Sequence, residues 1–417
     1  MVPCSCRESI WSTEGFINLL KAVSRVLNYN TMKSGKRIGI IGGSSAAAYL
    51  ALMLSGCDVT IIDKEATPLR KFNATGNGRC NLTNRRMSGS YYNHPEYVSG
   101  FIGDDCPRRI IDFLAKYGIA VTEIDGLVYP ASFSAPTLGK RFVDIMLSRG
   151  IRILTSTKAV SYRREKDGYE VETDHGKFLF DIVVFAIGGM SQRRLGSDGS
   201  LFSCLGSHGY RIEPLRPGLV PIKTKERLQD LKGCRHKALV KCSIAGGDSF
   251  EEDGEVLFKG DGLSGIVIFN LSSFLARRNV SKASISLDLF PDRGEKELET
   301  ILSRSYESAR GGFLKCLLEE RLAMHIEKKS KAKSISGICG ILKDFRFEFA
   351  GYYGFDDSQV TIGGIGLDQL SPNLESNKEP GVFFIGECLD VDGYCGGYNL
   401  TWCFLSASKA AERINSL

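Results

Sequence analysis

Lys36-Arg-Ile-Gly-Ile-Ile-Gly-Gly-Ser-Ser-Ala-Ala-Ala-Tyr-Leu-Ala-Leu-Met-Leu54, followed by Asp58-Val-Thr-Ile-Ile-Asp63, is the stretch on which the fold turns. Lys36–Ile41 is short, isoleucine-rich and nearly uncharged beyond its first two residues, the composition of a strand buried in a parallel sheet. It runs into Gly42-Gly43-Ser44-Ser45-Ala46, and Tyr49–Leu54 follows at helical spacing. A second strand, Asp58–Ile62, ends at Asp63, 21 residues after Gly42. Such a βαβ unit presents backbone N–H groups and a helix N-terminus to a pyrophosphate, while the acid accepts from ribose hydroxyls. The fingerprint G-x-G-x-x-G reads here as Gly42-x-Ser44-x-x-Ala47. Alanine at the third position is compatible with helix–strand packing. Serine at the second crowds the closest backbone approach, and costs ~1–2 kcal/mol if that position requires positive φ. Against the ~12 kcal/mol of nanomolar binding, that loss weakens a dinucleotide site without abolishing it. A glycine-rich turn with no ligand remains the alternative on the motif alone.

Working outward, the 417 residues are 43% hydrophobic and 24% charged, too apolar for a disordered chain and long enough for two or three domains. Thirteen cysteines with no C-x-x-C spacing speak against a disulfide scaffold, a zinc ribbon and a disulfide reductase, and imply a reducing, cytoplasmic compartment. Ile38–Gly56 has about the length of a membrane span, but its Gly-Gly-Ser-Ser break makes strand–turn–helix the better reading, and no membrane association is expected. Residues 1–34 are not a signal peptide, because Arg7, Glu8 and Glu14 interrupt any apolar core. Ile17, Leu20, Val23 and Leu27 recur at helical spacing, and Met32 stands just before Lys33-Ser-Gly-Lys36, so a functional start near Met32 is expected, with 1–34 an N-terminal extension or an artefact of start-codon choice.

Two further segments are unusually specific. Lys71-Phe-Asn-Ala-Thr-Gly-Asn-Gly-Arg-Cys-Asn-Leu-Thr-Asn84 is dense in backbone freedom and amide donors. Gly381-Val-Phe-Phe-Ile-Gly-Glu387 is a buried strand, leading through Asp390-Val-Asp-Gly-Tyr-Cys-Gly-Gly-Tyr-Asn-Leu400 into a helix over Thr401–Ile414. At these residues the chain resembles the BaiN/YhiN-type NAD(P)/FAD-dependent oxidoreductases, also called aminoacetone-oxidase-like flavoproteins. The T-G-G-G-R-C-N-x-T-N motif stands as Thr75–Asn84, and G-E-x-L-D-V-D-G-x-x-G-G-Y-N-L as Gly386–Leu400. Ala186-Ile-Gly-Gly189, Pro217–Pro221, Gly254–Phe258 with Gly262–Gly265, and Thr361–Gly364 resemble its shorter signatures. The likeness spans residue 36 to the C-terminus. The chain departs from it at Ser44 and Ala47, in a shortened turn at Gly196-Ser-Asp-Gly199, and at Tyr210, where a histidine is usual.

The resemblance implies an α/β fold: an FAD-binding Rossmann-like domain of the two-dinucleotide-binding type, interrupted by a β-barrel-like insert carrying a nested helical insert. The divisions expected are 35–190 and 346–417 for the FAD-binding domain, 191–290 for the β-rich insert and 291–345 for the helices. Periodicity agrees, with strand-like runs at Ile151–Leu154, Tyr169–Val171, Phe178–Phe185, Lys237–Ile244, Gly254–Phe258 and Ala283–Leu289 and a helix over Pro107–Tyr117. The formal charge of +6 is unevenly spread. Residues 191–350 hold 27 lysines and arginines against 21 acids, and the rest of the chain is neutral. Arg277-Arg278 and Lys328–Lys333 stand out in that excess. They are read either as a solvated face or as a guide for an anionic substrate, a nucleic acid or a phosphorylated reductant.

The chemistry implied is hydride transfer through FAD, with NAD(P)H as a transient reductant, since one dinucleotide fingerprint is present. The substrate expected is an unsaturated or carbonyl compound, either a small molecule or a uridine of ribosomal RNA converted to dihydrouridine, with no stable protein partner. A flavin-binding protein without activity and an RNA-binding protein that has lost its cofactor are the rivals. Gly42, Gly43, Ser44, Ser45 and Ala46 are expected at the pyrophosphate, and Asp63 with Lys64 at the adenosine ribose. Gly76, Gly78, Arg79, Cys80, Asn81, Val160, Ala186 and Gly188 complete the first part of the cofactor set. Gly386, Glu387 (toward the ribityl chain), Gly396, Gly397, Tyr398 and Asn399 complete the second. Cys80, Cys395 and Arg79 are the catalytic candidates; the cysteines alternatively pack as small residues. Asp390-Val-Asp392-Gly393 partly matches a calcium loop, but position twelve is Thr401 rather than glutamate, and no metal is expected.

Overall fold

The computed structural model describes residues 35–244, 247–330 and 334–417. The N-terminal extension, with its helical spacing and Met32, lies outside the described residues, as does the end of the Lys328–Lys333 run. Arg37–Ile41 is the central strand of a five-stranded parallel sheet in the order Val382–Phe384, Ile182–Phe185, Arg37–Ile41, Asp58–Ile62, Arg152–Leu154. Strand order reverses on either side of Arg37–Ile41, so the crevice at its carboxyl end is the topological switch point where open α/β sheets bind ligands. The helix Ser45–Met53 and the C-terminal helix Tyr398–Ser416 pack together against this sheet, burying Ala46–Leu52 of the first and Trp402, Phe404, Leu405, Ala407, Ala410 and Ile414 of the second in one core.

The helix after the glycine turn starts at Ser45, four residues before its expected beginning, because Ser44 caps it: the Ser44 hydroxyl accepts from Ala47 N at 3.3 Å. The run Phe178–Phe185, read as one strand, is two. Gly176–Phe180 closes an antiparallel three-stranded sheet with Gly168–Thr173 and Ala159–Glu165, whereas Ile182–Phe185 belongs to the parallel sheet. Asp181 makes the break, accepting from Arg37 N at 2.7 Å and from its guanidinium at 2.5 Å. The amphipathic helix lies at Cys106–Lys116, with Ile110 and Leu114 fully buried.

Between Ile182–Phe185 and Val382–Phe384 the chain leaves this layer through Ile212–Gly218 and returns through Val360–Ile365, an antiparallel pair. Beyond them lies a closed six-stranded barrel in the order Ile222–Thr224, Gly262–Ser264, Ser249–Lys259, Arg235–Ser243, Ser284–Asp288, Phe345–Tyr352. The helices Glu295–Ser308, Glu320–Lys329 and Ile335–Lys343 sit between its last two strands. The barrel has its own core, built on Val240, Val256, Phe258, Ile285 and Phe347. Among the described residues no helix is long and apolar enough to cross a membrane.

The barrel docks onto the Rossmann layer through the helix Ile266–Arg277. Its last residue, Arg277, donates Nε to Asp392 Oδ2 at 3.0 Å and Nη2 to the Asp392 carbonyl at 2.7 Å. Asp392 is 1% exposed and Arg277 15%, so the pair is desolvated. Breaking such a pair from one side strands a buried charge at a cost of ~3–5 kcal/mol. Arg277→Ala is therefore expected to lower the denaturation midpoint by that equivalent, and Arg277→Met combined with Asp392→Leu to cost less than the single change. Equal midpoints for wild type and Arg277→Ala in urea titrations would contradict this.

Candidate active site

A cavity of about 1130 Å³ opens at the switch point. One end is the glycine turn. Gly42 takes φ +100°, and a Cβ there would lie 2.6 Å from the Ala186 carbonyl. A Cβ on Gly43 would lie 2.3 Å from Asp63 Oδ2 and 2.9 Å from Pro68 Cβ. Both positions must be bare backbone. Ser44, by contrast, has φ −84° and ψ 174°, extended backbone open to any residue, so the strain that a positive φ would bring is absent. The serine replaces a fingerprint glycine with a helix cap.

Asp63 stands at the end of the second strand, 8% exposed, with its Oδ1 accepting from Glu65 N at 3.1 Å. Burial raises its carboxyl above the usual range, against the opposing Glu65 N–H and Lys64. Lys64 pairs with Asp198 at 2.6 Å, so the shortened turn Gly196–Gly199 folds over this end of the cavity. Further along the wall, Glu387 is fully engaged. It accepts from Lys71 Nζ at 2.7 and 3.0 Å, from Ser191 Oγ at 2.9 Å and from Thr361 N at 2.8 Å. This carboxylate holds four chain segments in register, which leaves less of it free for a ribityl hydroxyl than its motif position suggests.

The other long motif closes the middle. Gly397 takes φ +89°, and a Cβ there would meet the Thr83 carbonyl carbon at 2.8 Å, so the loop before the last helix nests against Asn81–Thr83. Asn399 ties that loop down, accepting from Gly393 N at 2.8 Å and donating to the Gly393 carbonyl at 3.0 Å. The cavity is lined here by Gly76, Asn81, Gly188, Gly396 and Gly397 and by the exposed Arg79, which has no carboxylate partner among the described residues.

Six expected positions do not line the cavity. Cys80 is 0% exposed in the core, its thiol pushed up to about 12 by burial, which makes it a packing residue rather than a reactive one. Ala46 packs against Gly386, where a Cβ would lie 2.9 Å from Ala46 Cβ. Gly78 takes φ +82° in the turn beside Arg79. Val160 is 51% exposed while its strand neighbour Ala159 reaches the cavity, as alternation along a strand requires. Tyr398 turns inward, its ring stacked on Tyr91 at 4.5 Å and its hydroxyl accepting from Asn84 Nδ2 at 3.2 Å. Cys395, in contrast, does line the cavity, with its thiol pushed up to about 11 by burial.

The far wall comes from the barrel: Glu252, Gly254, Leu257, Val267 and Phe269 face the same space. Sequence reading missed this contribution. Its signal was a lone amide, Asn270, inside the apolar run Ile266–Leu275. Asn270 is 3% exposed and bridges the two halves, accepting from Cys395 N at 2.9 Å and donating to Glu252 at 2.8 and 3.0 Å. Arg277 and Arg278, prominent in the basic excess, are occupied by Asp392 and by Asp248 at 2.6 Å.

Comparison with known proteins places this arrangement. The chain is 29% identical over 406 residues to the 3-dehydro-bile acid delta(4,6)-reductase of Clostridium scindens, covering 90% of this chain and 99% of the relative. It is 28% identical over 408 residues to the ribosomal RNA dihydrouridine synthase of Escherichia coli, covering 89% and 96% respectively. Among solved structures, 3-ketosteroid delta1-dehydrogenase from Sterolibacterium denitrificans aligns over 91% of this chain and 99% of its own, at 10% identity and a TM-score of 0.48. Residues 36–413 match the HI0933-like protein Rossmann domain, so the chain belongs to that family, the BaiN/YhiN-type flavoproteins, and is an FAD-dependent oxidoreductase.

Proposed function

We propose that this enzyme reduces a carbon–carbon double bond conjugated to a carbonyl, with NAD(P)H as the reductant. One observation carries the reading: the glycine turn that fits a dinucleotide and the barrel wall at Glu252, Leu257 and Phe269 enclose one continuous cavity. Its volume of about 1130 Å³ exceeds the roughly 300–1,000 Å³ of ordinary small-ligand sites, which suits a dinucleotide with a second molecule beside it. The relatives supply the reaction class. Both of their names describe saturation of a ring double bond, and in a 3-oxo-Δ4 steroid as in a uracil ring that bond is conjugated to a carbonyl.

The residues fit FAD on steric grounds, since a Cβ at Gly42 or Gly43 would fill the cradle that a pyrophosphate needs. In this reading the N–H groups of Gly43–Ser45 hold the pyrophosphate and Asp63 the adenosine ribose. Lys64 and Asp198 cover that end, and Gly396–Asn399 presents a helix N-terminus to the other. When bound, FAD supplies the two-electron chemistry, a hydride taken from the nicotinamide and passed to the substrate. Arg79 and Lys158 are cavity-lining cations without a carboxylate partner among the described residues, and of the two Arg79 stands in the Thr75–Asn84 motif, placed to meet a phosphate or a substrate carbonyl oxygen. With one parallel Rossmann sheet among the described residues, the chain receives NAD(P)H transiently at the open end of the cavity. The pairing of Arg277 and Arg278 within the protein takes those two cations out of the case for an RNA substrate.

Gly43→Ala is expected to reduce FAD retention by at least about tenfold, the equivalent of ~1.4 kcal/mol, measured as bound flavin per chain after gel filtration. Undiminished retention would remove the turn from the cofactor site. In anaerobic mixing, NADH or NADPH is expected to bleach the bound flavin and a 3-oxo-Δ4 steroid to restore its colour. A flavin that neither nicotinamide bleaches would overturn the reading. For the RNA alternative, cells lacking the gene would show a ribosomal dihydrouridine site missing; an unchanged map excludes it.

A further inference from the structure

Glu252 lies in the barrel strand Ser249–Lys259, opposite Val240 on the neighbouring strand, so no charge stands directly across from it. Half-buried at the cavity wall, it forms no ion pair among the described residues. Its carboxyl oxygens instead receive the Asn270 amide at 2.8 and 3.0 Å. That amide cannot turn over without loss, because its oxygen accepts from Cys395 N on the Rossmann side. The barrel docking helix therefore aims a fixed donor at the carboxyl and carries it to the loop that lines the cofactor cavity.

Around Glu252, Asp253 and Glu255 line the same cavity from the same strand, with Glu255 paired to Arg235, and the remaining titratable neighbours are weaker acids. The Cys395 thiol is held at about 11, and the Tyr394 and Tyr398 phenols are also raised, by burial first and in part by Glu252 itself. Arg277 and Arg278, at the end of the docking helix, are engaged by Asp392 and Asp248. Burial raises the Glu252 carboxyl above the ordinary carboxylate range, with the Asn270 hydrogen bond opposing. Proton transfer is most efficient from an acid whose pKa approaches the working pH, and a thiol near 11 is too weak by comparison.

We propose that Glu252 is the catalytic acid that protonates the substrate, with Asn270 as its positioning residue. The proposal rests on the reductase reading above. A conjugated C=C gains a hydride at its β-carbon from the reduced cofactor and a proton at its α-carbon from the Glu252 carboxyl. The π bond is lost, two C–H bonds form, and the carboxylate left behind regains its proton from water. NAD(P)H supplies the electron pair.

The test uses flavin-loaded wild type, Glu252→Gln and Asn270→Ala, reduced anaerobically with NADPH (or NADH) and then mixed with a 3-oxo-Δ4 steroid. Reduction by the nicotinamide is expected to change less than about twofold in Glu252→Gln, and reoxidation by the enone to slow by about 10²–10⁴-fold. Because the protonated form is required, the wild-type reoxidation rate falls as pH rises through the raised Glu252 pKa. That limb is lost in Glu252→Gln and moves to higher pH in Asn270→Ala, which removes the donor that stabilises the carboxylate. An infrared carboxylic-acid band, read without substrate, is expected to titrate above the ordinary carboxylate range in wild type and to be missing in Glu252→Gln. Equal reoxidation rates in wild type and Glu252→Gln, or the absence of that band from wild type, would overturn the assignment. Wild-type flavin that is bleached by neither nicotinamide, or that the enone leaves reduced, overturns the reductase reading and this proposal together.

Discussion

The buried pair between Arg277 and Asp392 is the contact on which the working shape of this molecule depends. Each partner belongs to a different core: Arg277 ends the helix that caps the barrel, and Asp392 sits in the loop that leads into the last helix of the Rossmann layer. Two charges taken out of water are held there by geometry rather than by net attraction, since the Coulombic gain of such a pair is largely offset by desolvation. What the pair secures is therefore position. It fixes the barrel helix against the Gly393–Asn399 loop, and about two turns earlier on that helix Asn270 reaches Cys395 and Glu252. The cavity has its far wall because these contacts hold.

At the cofactor end, a second set of constraints is steric. Gly42 and Gly43 have no room for a side chain, whereas Ser44 occupies ordinary extended backbone and contributes a hydrogen bond to Ala47 N. The turn keeps the two glycines that approach other backbone or Asp63 and gives up the one that did not need the freedom. At Ser44 the fingerprint is altered where ordinary backbone admits a side chain. Glu387 shows a related economy: a motif carboxylate that draws Lys71, Ser191 and Thr361 together stiffens the cavity wall before any ligand arrives.

Much of the Rossmann layer was legible because its signals are local. Buried parallel strands are isoleucine-rich runs, the glycine turn follows directly, and Asp63 lies a fixed distance along the chain. The errors have local causes too. Phe178–Phe185 reads as one apolar run, and only the capture of Asp181 by Arg37 splits it between two sheets. Cys80 and Tyr398 sit inside specific motifs yet point into the core, because a motif records a requirement without saying whether chemistry or packing imposes it. Arg277 and Arg278 looked like free charge when counted along the chain; their partners are 115 and 30 residues away.

By itself, then, the sequence determined the α/β class, the glycine turn at Gly42–Ser45 and the family likeness carried by Thr75–Asn84 and Gly386–Leu400, all of which depend on neighbours a few residues apart. Tertiary structure alone decided which motif residues line the cavity, that Glu252 and Asn270 complete it, and where the basic residues of the barrel spend their charge. The reason is physical. Backbone conformation and hydrophobic periodicity are set over one or two turns of chain, whereas burial, ion pairing and the acidity of a carboxyl depend on whatever distant segment folding brings against it.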